Sequence, residues 1–393
     1  MIIIGILFFI FGFVTWLNGS LIPFLKLILD LNDFEALFVT FAFYIAYTVM
    51  ALPMSYLLNR YGYKTGMMLG LLIMSIGSLL FIPAALSATY SLFLLALFTL
   101  GSGLTILQTA SNPYVVALGP KESAAKRISI MGIINKTAGV LVPVLFTALI
   151  FSDINSFDTN ALSTLDKQEL ASRLITPYLI MAITLFGLIA FVKFSNLQEI
   201  KFETDSSDDK TNILAYPQVI LGAIALFFYV GIEVIAGDTI GLYGSSLDLE
   251  NYTMFTSITM IFMVIGYGLG IFLIPKYISQ EKALILSAIT GMILLVGVLN
   301  TQGMISLFFV ASLGLANALI WPTIWPLALD GLGKHTAQGS ALLIMGIAGG
   351  ALLPLLFGKV ADVSSIQSAY VVGFISYGFI LYYALSGHKK RIW

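Results

Sequence analysis

The sequence contains no cysteine and only two histidines, His335 and His388, which lie far apart in the chain. The missing cysteine excludes disulfides, thiolate metal sites and cysteine nucleophiles. The sequence also has no Gly-x-x-x-x-Gly-Lys-Ser/Thr loop of the kind that binds ATP phosphates. A net charge of −1 gives no indication of nucleic-acid binding. We therefore expect neither an enzyme nor a nucleic-acid-binding protein.

Charged residues are scarce as well: they make up 10% of the chain, whereas 59% of the residues are hydrophobic. Ordinary soluble domains have about 25% charged residues. The apolar residues form segments near the roughly 20 residues that a helix needs to cross a bilayer. We predict an all-α membrane protein whose surface is buried mainly in lipid. Its twelve predicted transmembrane helices are approximately 3–28, 36–58, 66–86, 90–118, 127–150, 174–194, 213–243, 252–275, 282–299, 303–330, 336–359 and 367–387.

Basic residues are unevenly distributed between the loops that join these spans. If the amino terminus is inside, most lysines and arginines fall on the side of the two termini, and the other side has only Lys26, Lys167 and Arg173. The positive-inside rule then predicts that both termini are cytoplasmic. The chain enters its first span directly and continues to about Leu27, so we expect no removable signal peptide.

Two halves of the sequence resemble each other. A polar segment divides six spans from six, which predicts an amino-terminal bundle at 1–194, a cytoplasmic linker at 195–212 and a carboxy-terminal bundle at 213–393. Three segment pairs share one spacing: GSGL at 101–104 with SLGL at 312–315, VALG at 116–119 with LALD at 327–330, and LVPVLF at 141–146 with LLPLLF at 352–357. We predict two pseudo-symmetric six-helix bundles, with a ligand site near the midplane between them.

Uncharged polar and indole side chains lie inside several of these apolar spans. Hydrocarbon offers no hydrogen-bond partner, so such groups persist only where they face protein or a water-filled cavity. Amides and indoles together suit a neutral, polyhydroxylated ligand such as a sugar. The candidate sugar-binding residues are Gln108 and Asn112 on the fourth span, Trp16 and Asn18 on the first, Asn135 on the fifth, and Asn317, Trp321 and Trp325 on the tenth.

Glu233 and Asp238 are acids inside the seventh span, where an ionisable group is costly and indicates a functional site. They are candidate ion ligands. On an ideal helix five residues place them roughly 140° apart, so they share an ion only if Gly237 lets the helix unwind. The alternative is that Asp238 lies near the outer surface and Glu233 pairs with a neighbour.

Lys136 lies nine residues after Arg127, about 13 Å into the membrane at 1.5 Å per residue. It needs a partner there or must reach water. Three interpretations remain open: a charge partner for an acid across the interface between the halves, a direct hydrogen-bond donor to sugar, or a side chain that extends to the cytoplasmic surface.

The loop after the second span, Asn59-Arg60-Tyr61-Gly62-Tyr63-Lys64, resembles the loop Gly-x-x-x-Asp-Arg-x-Gly-Arg/Lys of the major facilitator superfamily. The resemblance implies a cytoplasmic gate formed by Asn59, Arg60, Gly62 and Lys64, with Asn59 in the place of the usual aspartate. The alternative is an ordinary basic turn in which Gly62 supplies the bend.

Three further segments, FGFVTWLNGSLIPFL at 11–25, LQTASNPY at 107–114 and AAKRISIMG at 124–132, are similar to the fucose:proton symporter family, and most similar to its bacterial glucose/galactose transporter branch. This resemblance implies the major facilitator fold, alternating access, hexose cargo and the bacterial inner membrane. The two proton-carrying acids of the fucose permease fall on Gly19 and Gln108, so proton coupling at those positions is not expected. Sodium-coupled members of the branch suggest sodium instead, and we assign it to Asp238 and Glu233 as a hypothesis.

The sequence thus predicts a monomeric secondary active sugar uptake transporter that couples sodium to glucose/galactose-type hexoses, with no other cofactor. One alternative is a proton-coupled or uncoupled hexose or fucose transporter. Another, from a different class, is a membrane sugar sensor, although both tails are too short for a signalling domain.

Overall fold

The computed structural model of the protein describes residues 2–117, 124–150, 163–195, 197, 213–274, 276–332 and 336–391. Within these ranges the regular secondary structure is helical. The described residues contain twelve helical spans long and apolar enough to cross a membrane, so the predicted number of spans is confirmed. The linker at 195–212 lies almost entirely outside the described residues, and the division into halves stays a prediction, as does the side on which the termini lie.

The first six spans are formed by nine helices. They are α1 (Ile2–Trp16) and α2 (Asn18–Leu29) in the first span, α3 (Asp33–Ala36) and α4 (Phe38–Tyr61) in the second, α5 (Tyr63–Ser87) in the third, α6 (Tyr90–Ala117) in the fourth, α7 (Ala124–Ile150) in the fifth, and α8 (Thr164–Ser172) and α9 (Ile175–Phe194) in the sixth.

The last six spans are interrupted more often. They are formed by α10 (Pro217–Asp238) and α11 (Ile240–Ser246) in the seventh, α12 (Phe255–Leu273) in the eighth, α13 (Gln280–Asn300) in the ninth, α14 (Gly303–Asn317) and α15 (Ile320–Leu329) in the tenth, α16 (Thr336–Met345) and α17 (Gly349–Val363) in the eleventh, and α18 (Ile366–Ala369) and α19 (Val372–Leu385) in the twelfth. Short 3₁₀ turns lie at Ile213–Ala215, Tyr252–Met254, Gly346–Ala348 and Gly387–Lys389.

The first, seventh and tenth spans are each broken, and the breaks in the last two have local features. In the tenth span the break at Ala318–Leu319 comes four residues before Pro322, whose ring clashes with the carbonyl at that distance and which has no N–H to donate. In the seventh span, Thr239 separates α10 from α11, and its hydroxyl donates to the Ile235 carbonyl at 2.7 Å. Discontinuous spans of this kind mark ligand and ion sites in transporters.

The outer surface of the bundle is apolar, as a lipid-facing surface must be. Large hydrophobic side chains such as Ile183, Phe272 and Ile293 are 62%, 76% and 64% exposed. On a soluble protein such exposure would promote association, but in a bilayer these side chains face acyl chains. The buried polar groups lie instead between the helices.

Several contacts join the two halves at the end of the bundle that is predicted to face outward. Ser20 donates to the Thr253 carbonyl at 2.7 Å, and Ser257 donates to the Val140 carbonyl at 2.6 Å. The Asp362 carboxylate accepts from the backbone N–H of Asp33 at 3.1 Å. The halves are therefore packed together at this end.

Candidate functional site: a cavity between the two halves

A cavity with a volume of about 150 Å³ lies between the halves, where a single water molecule needs about 10–15 Å³. Both halves contribute to its wall, through the first, second, fourth and fifth spans on one side and the seventh, eighth, tenth and eleventh on the other. Its lining includes Phe8, Phe11, Thr15, Trp16, Tyr44, Tyr47, Gln108, Asn135, Lys136, Tyr229, Glu233, Tyr267, Trp321 and Pro322.

An ion pair crosses the cavity from one half to the other. Lys136 Nζ on α7 lies 2.8 Å from Glu233 Oε1 on α10, and both residues are buried. The Tyr229 hydroxyl donates to the same carboxylate oxygen at 2.8 Å, because Tyr229 precedes Glu233 by one turn of α10. Lys136 Nζ also lies 4.1 Å from the ring centroid of Trp16, within cation–π range. Of the three interpretations of Lys136, the structure shows the ion pair across the halves; its part in transport stays a prediction.

Two side-chain amides border the same space. Gln108 Nε2 donates to the Tyr47 hydroxyl at 3.0 Å. Asn135 Nδ2 donates to the Phe8 carbonyl at 3.3 Å, and its Oδ1 lies 3.5 Å from Trp16 Nε1. These partners fix the direction of each amide while Gln108 and Asn135 remain part of the cavity wall.

Aromatic rings form much of the wall. Trp321 lies against Tyr229, with ring centroids 6.2 Å apart, and Tyr44 stacks on Tyr47 with centroids 6.1 Å apart. Flat apolar faces next to polar groups are what a sugar ring requires. The sequence analysis missed the four cavity tyrosines, Tyr44, Tyr47, Tyr229 and Tyr267. Only Tyr229 gave a usable signal, since it precedes the intramembrane Glu233 by four residues.

Three predicted sugar-binding residues do not line this cavity: Asn18, Asn317 and Trp325. Asn317 accepts a hydrogen bond from the Tyr377 hydroxyl at 2.8 Å, inside the carboxy-terminal half. The reason is the break at Ala318–Leu319, which separates Asn317 from the indoles that the prediction placed on one continuous stripe. Trp325 packs against Trp321 with centroids 5.5 Å apart. These assignments need correction, and the Asn112 side chain lies outside the described residues.

The two acids of the seventh span have different surroundings. Helix α10 stays regular through Gly237 and ends at Asp238, so the unwinding that a shared ion would require is absent from this helix. Glu233 lines the cavity in its ion pair, whereas Asp238 lies outside the lining and is fully buried. Neither carboxylate oxygen of Asp238 has a hydrogen-bond partner among the described residues. The prediction of one cation site formed by both acids is therefore not supported, and Asp238 alone remains a candidate ligand.

The predicted cytoplasmic gate forms a turn between α4 and α5. Gly62 has φ +83°, a conformation that favours glycine. The exposed Arg60 packs on the ring of Tyr61 at 5.4 Å, and Lys64 Nζ donates to the Ser195 carbonyl at 2.8 Å. The Asn59 side chain is not among those described. A role of this turn in gating stays a prediction.

The cavity as a whole is suited to an uncharged ligand. Its one cation and one anion among the lining residues neutralise each other, and the remaining polar groups are amides and hydroxyls that both donate and accept. The ion pair and the amides offer hydrogen bonds to vicinal hydroxyls, and the indoles offer flat faces.

Comparison with known proteins agrees with this arrangement. The family model of the Major Facilitator Superfamily matches residues 4–354 of this chain. The chain is 36% identical to the glucose/galactose transporter of Brucella abortus, over 98% of this chain and 93% of that protein. It is 28% identical to the L-fucose-proton symporter of Haemophilus influenzae, over 95% and 91% of the two chains. The crystal structure of FucP, a major facilitator transporter in the outward conformation, superposes with a TM-score of 0.75 at 25% identity and covers 98% of this chain and 97% of its own.

These relatives are transporters, which agrees with the expectation that the chain is not an enzyme. The match extends over both halves and includes all the cavity residues described above. The predicted resemblance to the fucose:proton symporter family and its glucose/galactose branch is confirmed by the relatives found. The chain is a twelve-span membrane transporter and belongs to the Major Facilitator Superfamily.

Proposed function

We propose that this chain takes up a neutral hexose of the glucose/galactose type by alternating access, in symport with a cation. The observation that carries the proposal is the cavity between the halves, whose wall combines Trp16, Trp321, Gln108, Asn135 and a neutralised ion pair. The name of the 36% identical relative, a glucose/galactose transporter, supports the same cargo. Sodium or a proton is the coupling cation; the only cofactor we propose is this ion.

In this proposal the sugar ring lies against the indoles, and its hydroxyls bond to the amides and to the ion pair. Gln108, Asn135 and Lys136 belong to the amino-terminal half, whereas Glu233 and Trp321 belong to the other. A sugar held by both halves stabilises the state in which they close around it, and rocking of the halves then exposes it to the opposite side.

The coupling cation is assigned to Asp238. A fully buried carboxylate without a hydrogen-bond donor is costly, so it requires a bound cation or a proton. Sodium is our first candidate, because the positions of the fucose permease acids are occupied by Gly19 and Gln108. A proton is the second candidate, which the name of the L-fucose-proton symporter relative favours.

Uptake of labelled glucose into proteoliposomes, with sodium and pH gradients imposed separately, tests both parts. We expect accumulation above the external concentration under an inward sodium gradient at equal pH. Accumulation driven by a pH gradient alone would show that the coupling cation is the proton and not sodium. The proposal of hexose symport would be unaffected. Absence of accumulation under either gradient, with downhill uptake retained, would identify an uncoupled facilitator.

A membrane sugar sensor is the proposal of another class. It predicts that proteoliposomes bind glucose without accumulating or exchanging it. Labelled glucose counterflow distinguishes a transporter from a sensor, because a sensor gives no counterflow. We further propose a monomer in the bacterial inner membrane with both termini cytoplasmic, which protease accessibility in oriented vesicles would test.

A further inference from the structure

The indole of Trp16 lies in a slot between Gly139 and Gly237, which exists because neither residue has a side chain. The residue is 1% exposed and is the last of α1, immediately before the break in the first span. A Cβ atom on Gly237 would lie 2.4 Å from Trp16 Cζ3, and one on Gly139 would lie 2.7 Å from Trp16 Cδ1. The two parts of the indole thus rest against backbone from both halves of the protein, with no room for a side chain at either glycine.

The same indole borders two places, the cavity and the backbone next to Asp238. On one side it lines the cavity, where Lys136 Nζ lies over its ring. On the other it packs on Gly237, and the next residue is Asp238, which is fully buried and outside the cavity lining. Tyr44 and Lys136, on neighbouring helices, and Glu233, on the same helix, are titratable groups that interact electrostatically with Asp238.

Gly237 also approaches the first span, at Gly19. A Cβ on Gly19 would lie 2.3 Å from Thr256 Oγ1 and 3.0 Å from the Gly237 carbonyl oxygen, so the first span lies there against a side chain of the eighth span and the backbone of the seventh. Thr256 also donates to the Gly237 carbonyl at 2.7 Å. Asp238 is fully buried, and Gly237 just before it contacts Trp16 and approaches Gly19.

We propose that Trp16 is the barrier between the sugar cavity and the carboxylate of Asp238, and that it makes cation exchange at Asp238 dependent on sugar. The inference rests on the proposed function and adds to it a positioning residue for coupling. In this proposal a sugar in the cavity contacts the indole beside Lys136 and displaces it from the slot. Exchange of the cation towards the cavity requires the indole to leave the slot between Gly139 and Gly237.

The test measures cation flux and glucose flux separately. Full-length protein is reconstituted in liposomes that contain a pH-sensitive and a sodium-sensitive dye, with the membrane potential clamped by potassium and valinomycin. Wild type takes up cation only when glucose is added. Trp16→Ala should raise cation uptake without glucose about tenfold, which corresponds to about 1.4 kcal/mol of barrier. Glucose accumulation should fall towards simple equilibration, and because Trp16 also lines the sugar cavity, the cation uptake without glucose is the readout that decides.

Three further variants distinguish a specific barrier at Trp16 from a general loosening of the helix packing. Trp16→Ala combined with Asp238→Asn should lose the leak, because the leak passes through that carboxylate. Trp16→Phe keeps a ring in the slot, should leak less than the alanine variant, and serves if the alanine variant does not fold. Phe24→Ala removes a buried aromatic from the same span, one that packs edge-on with Phe146, and should not leak.

Two results overturn the inference: tight coupling in both Trp16 variants, or a leak that persists after Asp238→Asn is added. Failure of the proposed function looks different, because wild type itself then shows no glucose-evoked uptake of sodium or protons. That outcome appears before any variant is examined and removes the basis of the inference with it.

Discussion

The first and seventh spans are both broken inside the membrane, yet they carry different chemistry at the break. The first span breaks at Leu17 and presents Asn18 and Gly19, which are uncharged. The seventh breaks at Thr239 and presents Asp238. The two breaks meet where Gly19 approaches the Gly237 carbonyl. Similar backbones thus carry different charge at their breaks, and only the seventh of these two spans presents the carboxylate that we propose as the cation ligand.

A second contrast lies within the seventh span itself. Glu233 has a lysine and a tyrosine hydroxyl as partners, whereas Asp238, little more than one turn further on, has none among the described residues. We propose that the paired acid serves structure and sugar binding, and that the unpaired one takes its counter-charge from solution. The following predictions test this division of roles, beginning with the largest expected effect.

Lys136→Ala should have the largest effect, because it leaves Glu233 buried without its cation. Breaking one side of a buried ion pair costs about 3–5 kcal/mol, so the variant should unfold at a clearly lower temperature and lose glucose uptake. Thermal stability is measured by the loss of monodisperse protein on size exclusion. Lys136→Ala with Glu233→Ala should recover stability without recovering uptake.

A matched control for this experiment is Lys276→Ala, since Lys276 is exposed and lies over the Tyr277 ring. Exposed charges contribute about 0–1 kcal/mol, so its stability and uptake should stay near wild type. Equal losses in Lys136→Ala and Lys276→Ala would contradict the role assigned to the ion pair.

Asp238→Asn should remove cation-driven accumulation but keep exchange. The asparagine is neutral, so it cannot carry a proton and is a poor sodium ligand without a carboxylate's charge. Labelled glucose counterflow should stay within about threefold of wild type, less than 1 kcal/mol of barrier, while gradient-driven accumulation is lost. Glu233→Gln should instead weaken glucose binding more than it affects the coupling to the cation gradient. If Asp238→Asn still accumulates glucose, the two acids do not differ in the way proposed.

Gly19→Ala should slow transport by hindering closure at the predicted outer end. Its Cβ would meet Thr256 Oγ1 at 2.3 Å, and the halves can relieve this contact only by separating there. We expect glucose exchange to fall about tenfold, equivalent to about 1.4 kcal/mol. The matched control is Gly268→Ala, because a Cβ on this helical glycine meets nothing within 4 Å. Equal rates in the two variants would show that the Gly19 contact does not limit closure.

Tyr377→Phe tests the third break and should have the smallest effect. It removes the donor to Asn317 Oδ1 in the carboxy-terminal half, away from the cavity lining. An unpaired buried acceptor costs about 1–3 kcal/mol, so thermal stability should fall modestly while the Kd for glucose stays unchanged. A larger Kd for glucose would indicate that Asn317 belongs to the sugar site, as the sequence analysis predicted.

Much of the architecture could be predicted from the sequence because the bilayer restricts what a span can contain. Apolar length indicated the twelve spans, and polar groups at mid-depth had to face protein or water. The structure places four of the predicted sugar-binding residues, Trp16, Gln108, Asn135 and Trp321, in one cavity together with Lys136 and Glu233. Their convergence was expected from the family resemblance, and their roles stay predictions.

The errors arise where helix rotation or a break decides the outcome. Lys136 had two acids within reach in the sequence, and only the rotation of α10 selects Glu233. The break at Ala318–Leu319 separates Asn317 from Trp321, so periodicity alone misplaced Asn317; Trp325 lies on the same helix as Trp321 but outside the cavity lining. The cavity tyrosines gave little signal because the chain has 18 tyrosines, most of which read equally well as core residues.

The Lys136–Glu233 pair also determines how membrane voltage acts on the carrier. A pair with no net charge feels no net force from the transmembrane field, so these two residues can swing between the two sides without electrical work. An unloaded, ionised Asp238 is different: one elementary charge crossing the full field is worth about 2.3 kcal/mol per 100 mV. In the proposed cycle, with the cell interior negative, that field pushes the vacant carrier outward, so the resting potential helps to reset it.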